Sequence, residues 1–335
     1  MINVANGELW LRDDGTIDIQ PHDPKTGMRH VLPVDYDPNA KCPEYDKALQ
    51  QIFRDAENPE TVIRFKNELL GYVIQPRRHH PLIVIFLGRG NNGKTSFTEL
   101  LRRLIGPGQI YSGRVDDLEK NQFSIGNLFG KHLYIDDDIK AGTKLPDGTL
   151  KKISEAKTLT GERKFKDQFE FKSRAFPILL CNNIPSLADL SHGMMRRLRV
   201  VPFTRIFKEH ETDRQLFERI AAKELSGVLN RALEGWKRLQ TKGRFTKSID
   251  MANARKELLA HANPLQGFID ECCEEADDVT ISMDKFYLRY KAWADDNGYT
   301  MTQTKPTVRK NLEHMNYRVP RRASGRVIIG LKIRR

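Results

Sequence analysis

With 335 residues, 39% of them hydrophobic, the chain is long enough for two or three packed domains and too apolar for wholesale disorder. The longest apolar run, Leu82 to Leu87, is too short to cross a bilayer, and "MINVANGELW" lacks the basic start and apolar stretch of a secretory signal. The formal charge of +12 is unevenly placed: residues 1–80 carry 10 Lys/Arg against 13 Asp/Glu, residues 151–210 carry 13 against 6, and residues 301–335 carry 10 against 1. Basic charge gathered in two blocks suits a polyanion-binding surface, because each neutralised phosphate releases counterions. The four cysteines (Cys42, Cys181, Cys272, Cys273) lack zinc-ligand spacing and fit a reducing, cytoplasmic compartment.

In chain order, "GELWLRDDGTIDIQ" (Gly7–Gln20) reads as two alternating strands about an Asp-Gly turn. Helices are expected near Glu44–Ala56 and Pro59–Leu70, the second capped by Asn58. Residues 1–76 thus form a small lead-in of mixed, mainly helical character. Over residues 77–210 the apolar runs "LIVIFL", "KHLYI" and "AFPILLC" alternate with helical segments, the pattern of an α/β core around a parallel sheet. Residues 211–262 are helical in pattern, and Cys272 and Cys273 are expected in a helix within the acidic stretch Asp270–Asp278. Within the last segment, residues 263–335, the final ~55 residues read as helix, helix, then two short strands around "RRASGR".

The stretch "FLGRGNNGKTSF" fits G-x-x-x-x-G-K-[ST] at Gly88, Gly93, Lys94 and Thr95. Glycines let backbone N–H groups converge on phosphate oxygens, so Gly88, Gly90, Asn91, Asn92, Gly93, Lys94, Thr95 and Ser96 form the candidate nucleotide cradle. Lys94 would reach the β- and γ-phosphates, and the Thr95 hydroxyl would hold Mg²⁺. A buried strand precedes the loop. A helix follows, with Phe97, Leu100, Leu101 and Leu104 on one face, which puts a helix N-terminus under the phosphates of ATP.

A metal needs an acidic partner, and "KHLYIDDDI" ends an apolar strand in three carboxylates. Asp136 is assigned to the metal and Asp137 to the attacking water, with the pair Asp137 and Asp138 as the alternative register. In "LLCNNIP", Asn182 at a strand tip would orient that water; in isolation the same residues read as a turn. In "GMMRRLRVVPF", Arg196 or Arg197 precedes an apolar strand and could stabilise transition-state charge on a neighbouring subunit's nucleotide. "GERKFKDQFEFK" reads as two short strands about Asp167–Gln168, and Lys164, Lys166 and Lys172 make it a candidate phosphate-gripping hairpin. In the tail, Lys305, Arg309, Lys310, Arg321, Arg322 and Arg326 are placed to meet nucleic acid, although such a fold also serves protein contacts.

Taken together, "GRGNNGKT", "YIDDDI", "KTLTGERKFKDQFEF", "LLCNNIP" and "GMMRRLRVVPF" resemble the superfamily 3 helicases, in particular the ATPase module of phage/plasmid and poxvirus-like primase-helicases. The resemblance spans essentially the whole chain. It implies an AAA+-like P-loop core, an oligomerising lead-in, a C-terminal winged-helix domain, and a homo-hexameric ring moving 3′ to 5′ on single-stranded or forked DNA. It also implies ATP and Mg²⁺, places Lys157 near the nucleotide, and makes the basic hairpin the DNA contact of the ring channel. Many relatives carry a primase ahead of this module. Here residue 1 already falls in the lead-in, so a primase or polymerase is expected in trans, or as the missing part of a longer protein. The alternative function is an ATP-switched initiator or loader that does not unwind processively.

Overall fold

The computed structural model describes residues 1–12, 14–140, 142–187, 192–262, 264–297, 299 and 303–334. Residue 263, where the last segment was expected to begin, lies outside them. The chain divides into two units, one of residues 1–185 and 193–255 and one of residues 186–192 and 256–335.

The first unit opens with a three-stranded antiparallel sheet of β1 (Ile2–Val4), β2 (Gly7–Leu11) and β3 (Ile17–Gln20). The expected hairpin is β2–β3, with Leu11 opposite Ile17; β1 was not foreseen, being only three residues long. Helices α1 (Pro43–Ile52) and α2 (Pro59–Val73) follow. The Asn58 side chain accepts a hydrogen bond from the Thr61 N–H at 3.3 Å, the expected cap.

The centre is a five-stranded parallel sheet in the order β10-β4-β9-β6-β5, formed by β4 (Ile83–Leu87), β5 (Ile110–Ser112), β6 (Leu133–Ile139), β9 (Phe176–Cys181) and β10 (Leu198–Pro202). All six residues of β9 are buried, as a strand covered on both faces requires. Between these strands lie α3 (Lys94–Ile105), α4 (Asp117–Lys120), α5 (Gln122–Gly126), α6 (Asp147–Ser154) and α7 (His192–Met195), and an antiparallel pair β7 (Thr158–Gly161) and β8 (Phe169–Lys172). The strands of this pair are shorter than expected. Its turn runs over residues 162–168, so Arg163, Lys164 and Lys166 lie in the loop and not on strands about Asp167–Gln168.

The unit closes with α8 (Leu216–Lys223), α9 (Leu225–Lys242) and the start of α10 (Ile249–Ala262). Helix α9 lies against α2, and glycines let the two backbones approach. A Cβ on Gly71 would fall 2.1 Å from the Ala232 carbonyl oxygen, and one on Gly235 2.2 Å from that of Asn67. Beside this contact the buried Glu68 carboxylate accepts from Arg238 Nε at 2.9 Å and from the Thr246 N–H at 2.6 Å. One hydrophobic cluster runs from Ile2 through Leu49, Phe65, Phe86, Phe97 and Phe203 to Leu233 and Met251, so the lead-in, the sheet and the helical extension share a core.

The second unit holds α11 (Pro264–Cys272), β11 (Cys273–Ser282), α12 (Met283–Asp296), α13 (Lys305–His314), β12 (Arg321–Arg322) and β13 (Gly325–Ile333). Its sheet order is β11-β13-β12, all antiparallel, around a core of Leu265, Phe268, Phe286, Tyr290, Leu312 and Ile328. The two adjacent cysteines do not share a helix: Cys272 ends α11 and buried Cys273 opens β11. The acidic residues obscured that strand, because Glu274 and Glu275 are exposed and only its partner β13 reveals the pairing.

Candidate functional site

Strand β4 delivers the chain to the C-terminal edge of the parallel sheet, and the loop Gly88–Gly93 turns it into α3. Two residues of this loop have left-handed backbones, Asn91 at φ 55° and Gly93 at φ 86°. Gly93 needs glycine twice over, since a Cβ there would meet Ile52 Cδ1 of α1 at 2.8 Å. At Gly88 a Cβ would fall 2.2 Å from the Phe203 carbonyl oxygen, whereas at Gly90 it would meet nothing within 4 Å. Gly90 is therefore open on the side where a ligand could approach the backbone.

Lys94 is 5% exposed, and its ammonium lies inside the loop. It donates to the carbonyl oxygens of Gly88 and Arg89, to Asn92 Oδ1 at 3.2 Å and to Asn182 Oδ1 at 3.2 Å. Burial lowers its pKa below the usual lysine range. Asn182 follows the last residue of β9, so the loop and a neighbouring strand tip meet at one amine. The Asn92 amide braces the turn by donating to the Arg89 and Phe203 carbonyls, and Asn91 is tied to Phe207 through both backbone and side chain. Thr95 and Ser96 are exposed on the first turn of α3.

The three aspartates of β6 are not equivalent. Asp136 is buried and accepts from the Val115 N–H at 2.6 Å and the Asp138 N–H at 3.3 Å. Burial raises its pKa, and the two N–H donors only partly oppose this. Asp137 is exposed and paired with Arg102 of α3 at 3.2 Å, and Asp138 is exposed. Between Asp136 and Lys94 lies Cys181, whose buried thiol is pushed up to about 12, mainly by desolvation, with Asp136 and Lys94 acting on it in opposite directions.

The two arginines also part company. Arg197 is buried, donating to the Gly193 carbonyl and to the Glu155 carboxylate, while the Arg196 side chain is 57% exposed. Both precede β10, and the Arg197 carbonyl accepts from the Ile83 N–H at the start of β4. That is the opposite edge of the sheet from the loop, about 17 Å away along a five-residue strand. Lys157 is exposed and pairs with Glu155 at 2.6 Å, not with any group of the loop.

Lys164, Lys166 and Lys172 are exposed on the β7–β8 hairpin. In the second unit Lys310, Arg321 and Arg322 are exposed, whereas Arg309 pairs with Glu313 at 3.8 Å, Lys305 pairs with Asp284, and Arg326 donates to the Val319 carbonyl at 3.3 Å. Sequence reasoning missed a cavity of about 440 Å³ beside the loop, lined in part by Gln51, Ile52, Asn91, Ser96, Phe207 and Phe217. No local pattern links these residues; α1, the loop and the segment after β10 meet only in the fold. Among the described residues no cluster of His, Cys, Asp and Glu forms a ready metal site, and no helix is long and apolar enough to cross a membrane.

Three family profiles match in chain order: "D5 N terminal like" over residues 1–54, a family of unknown function (DUF5906) over 86–197, and "Poxvirus D5 protein-like" over 260–318. The "Putative helicase L207/L206" of Acanthamoeba polyphaga mimivirus is 30% identical over 134 residues, which is 38% of this chain and 14% of that protein. The chain thus spans about a seventh of the length of this relative. Similar solved structures include the apo C-terminal region of NrS-1, at 18% identity and a TM-score of 0.48, covering 97% of this chain and 82% of that one. A ligand-bound JCV helicase is similar at 16% identity and a TM-score of 0.34, with 74% and 64% covered. With D5-like matches on both sides of the parallel sheet and a helicase-named relative, the chain resembles the phage and poxvirus-like primase-helicases.

Proposed function

We propose that this chain is the ATP-hydrolysing motor of a replicative DNA helicase, serving a phage, plasmid or related mobile element. The observation that carries the reading is the meeting of Lys94, from the loop after β4, with Asn182, from the tip of β9, at 3.2 Å on the C-terminal edge of a parallel sheet. Ligands of open parallel sheets bind at that edge. A triphosphate would replace the oxygens that now hold the Lys94 ammonium, and the half-positive start of α3 would face its phosphates. The cavity beside the loop has an apolar side, formed by Ile52, Phe207 and Phe217, against which a purine base would lie, with Lys47, Glu211 and Asp213 also in its lining.

Thr95, exposed on the first turn of α3, and Asp136 fit the binding of Mg²⁺: the hydroxyl as direct ligand, the buried carboxylate through the ion's water shell. The ion would neutralise charge on the phosphates and restore the ionised form of Asp136, which burial now disfavours. Asp137 would accept the proton of the attacking water, with Asn182 holding that water in line. Arg196 stands too far from its own loop to help there. Its exposure supports a role in trans, which calls for a ring, a homo-hexamer by resemblance, with nucleotide between subunits. The hairpin lysines would hold a single strand by its phosphates as subunits cycle, moving 3′ to 5′ along forked DNA. The element order of the second unit (helix, strand, two helices, two strands) supports a winged helix, with Lys310 and Arg322 toward the duplex.

The test is ATP hydrolysis with and without single-stranded DNA. DNA should stimulate turnover, and Lys94→Ala should abolish it with the melting temperature unchanged; robust activity in that variant sinks the reading. Strand displacement on a forked duplex separates motor from switch, because hydrolysis without displaced strand would mark an initiator or loader.

A further inference from the structure

The tip of the β7–β8 hairpin presents an aromatic ring where solvation favours a polar residue. Phe165 is 94% exposed, the most exposed of the large hydrophobic residues among those described. Its backbone is left-handed, at φ 61°, a conformation that a bulky residue enters only at a cost. Lys164 and Lys166 flank it, and the Lys164 ammonium lies 5.1 Å from the ring centre.

The base of the hairpin is firmly held. Phe169 and Phe171 stack at 5.4 Å, and Phe129 meets both edge-on at 5.5 Å. The Arg163 guanidinium covers Phe129 and Phe169. Gly161 and Gly126 let β7 and α5 touch, for a Cβ on Gly161 would fall 2.6 Å from the Gly126 Cα. The turn is also tied to α5 by Gln168, which donates to Gln122 Oε1 at 2.6 Å. A rigid root therefore holds a ring and two ammonium groups out in solvent.

We propose that Phe165 is a base-stacking residue: a single-stranded nucleic acid lays one unpaired base on its ring while Lys164 and Lys166 hold the adjoining phosphates. A base inside a duplex offers no free face to such a ring, whereas each base of a single strand does, and stacking is indifferent to sequence. The assignment rests on the helicase reading and adds to it the residue that grips the strand between steps.

The experiment measures binding of a fluorescent oligo(dT) to wild-type chain, Phe165→Ala, Phe165→Leu and Phe165→Trp, with the melting temperature of each as a control on folding. Ala and Leu should both weaken binding about tenfold, the size of one base–aromatic stack, and Trp should restore it. Emission from Phe165→Trp should be quenched by oligo(dT) beyond the change shown by the wild type, whose own tryptophans number three. Wild-type affinity in Phe165→Ala, full affinity in Phe165→Leu, or no added quenching in Phe165→Trp overturns the assignment and leaves the helicase reading standing. A change in assembly mass of Phe165→Ala without any nucleic acid would mark a protein contact and overturn it too. Failure of the wild type itself to bind single strands would remove both.

Discussion

Lys94 and Lys66 are two buried ammonium groups in opposite surroundings. Lys94 is ringed by oxygens at the loop, whereas Lys66 is fully buried, with Nζ 3.3 Å from the Phe97 ring centre and 3.6 Å from that of Phe86, and without a hydrogen-bond partner. Desolvation drives the Lys66 pKa well below that of a free lysine. The rings return part of that cost through cation–π attraction. Because the folded pKa is the lower one, the penalty is complete below it and disappears as the pH rises toward 10.5, where the unfolded chain also loses its proton. Lys66→Met should therefore stabilise the protein by about 1–3 kcal/mol near neutral pH, with a smaller gain at pH 10, as chemical denaturation at several pH values would show. At the loop, Asn182→Ala should leave nucleotide affinity near its wild-type value and lower turnover by about 10²-fold or more, measured as kcat at saturating ATP. Periodicity could not have located Lys66, because a lysine on a helix reads as exposed. Its place was set by Phe86, Phe97 and Phe203 arriving from three other segments.

Among the elements, those with continuous apolar runs or strong punctuation were legible. Strands β4, β6, β9 and β10 and helix α3 stand where "LIVIFL", "KHLYI", "AFPILLC", "RVVPF" and the face of Phe97, Leu100, Leu101 and Leu104 put them. Strands β1, β5 and β11 were not legible. The first two are three residues long, and β11 carries the acidic residues of a stretch that reads as helix or loop. The α2–α9 crossing was equally hidden, since each glycine looks like a helix defect until its partner backbone is in place. Gly71→Ala should cost about 1–3 kcal/mol or more through overpacking, since backbone atoms of Ala232 and Trp236 stand in the way. Thermal unfolding would measure it, and a matching loss in Gly235→Ala would locate the fault in this contact.

For the molecule as a whole, the shared parallel direction of β4, β9 and β10 sets Lys94 and Asn182 at one end of the strands and Arg196 at the other. If Arg196 serves a neighbour, Lys94→Ala and Arg196→Ala proteins should each be inactive and should regain part of the DNA-stimulated ATPase when mixed. The interface between an intact loop and an intact arginine would be complete in the mixture. Absence of any recovery, in mixtures shown by mass to co-assemble, would confine Arg196 to a role within its own chain. Arg197→Ala should instead lower the melting temperature, because it leaves the Gly193 carbonyl without this donor and Glu155 with only Lys157 and Arg196 as ion-pair partners.

By itself the sequence determined the phosphate-loop pattern, the strand that leads into it, the helix that leaves it, and the clustering of basic charge, because each depends on neighbours within a few residues. The tertiary structure decided which carboxylate is buried, which arginine is exposed, where the hairpin turns and that a phenylalanine crowns it. Those outcomes depend on segments distant in sequence competing for the same space, and only packing resolves that competition.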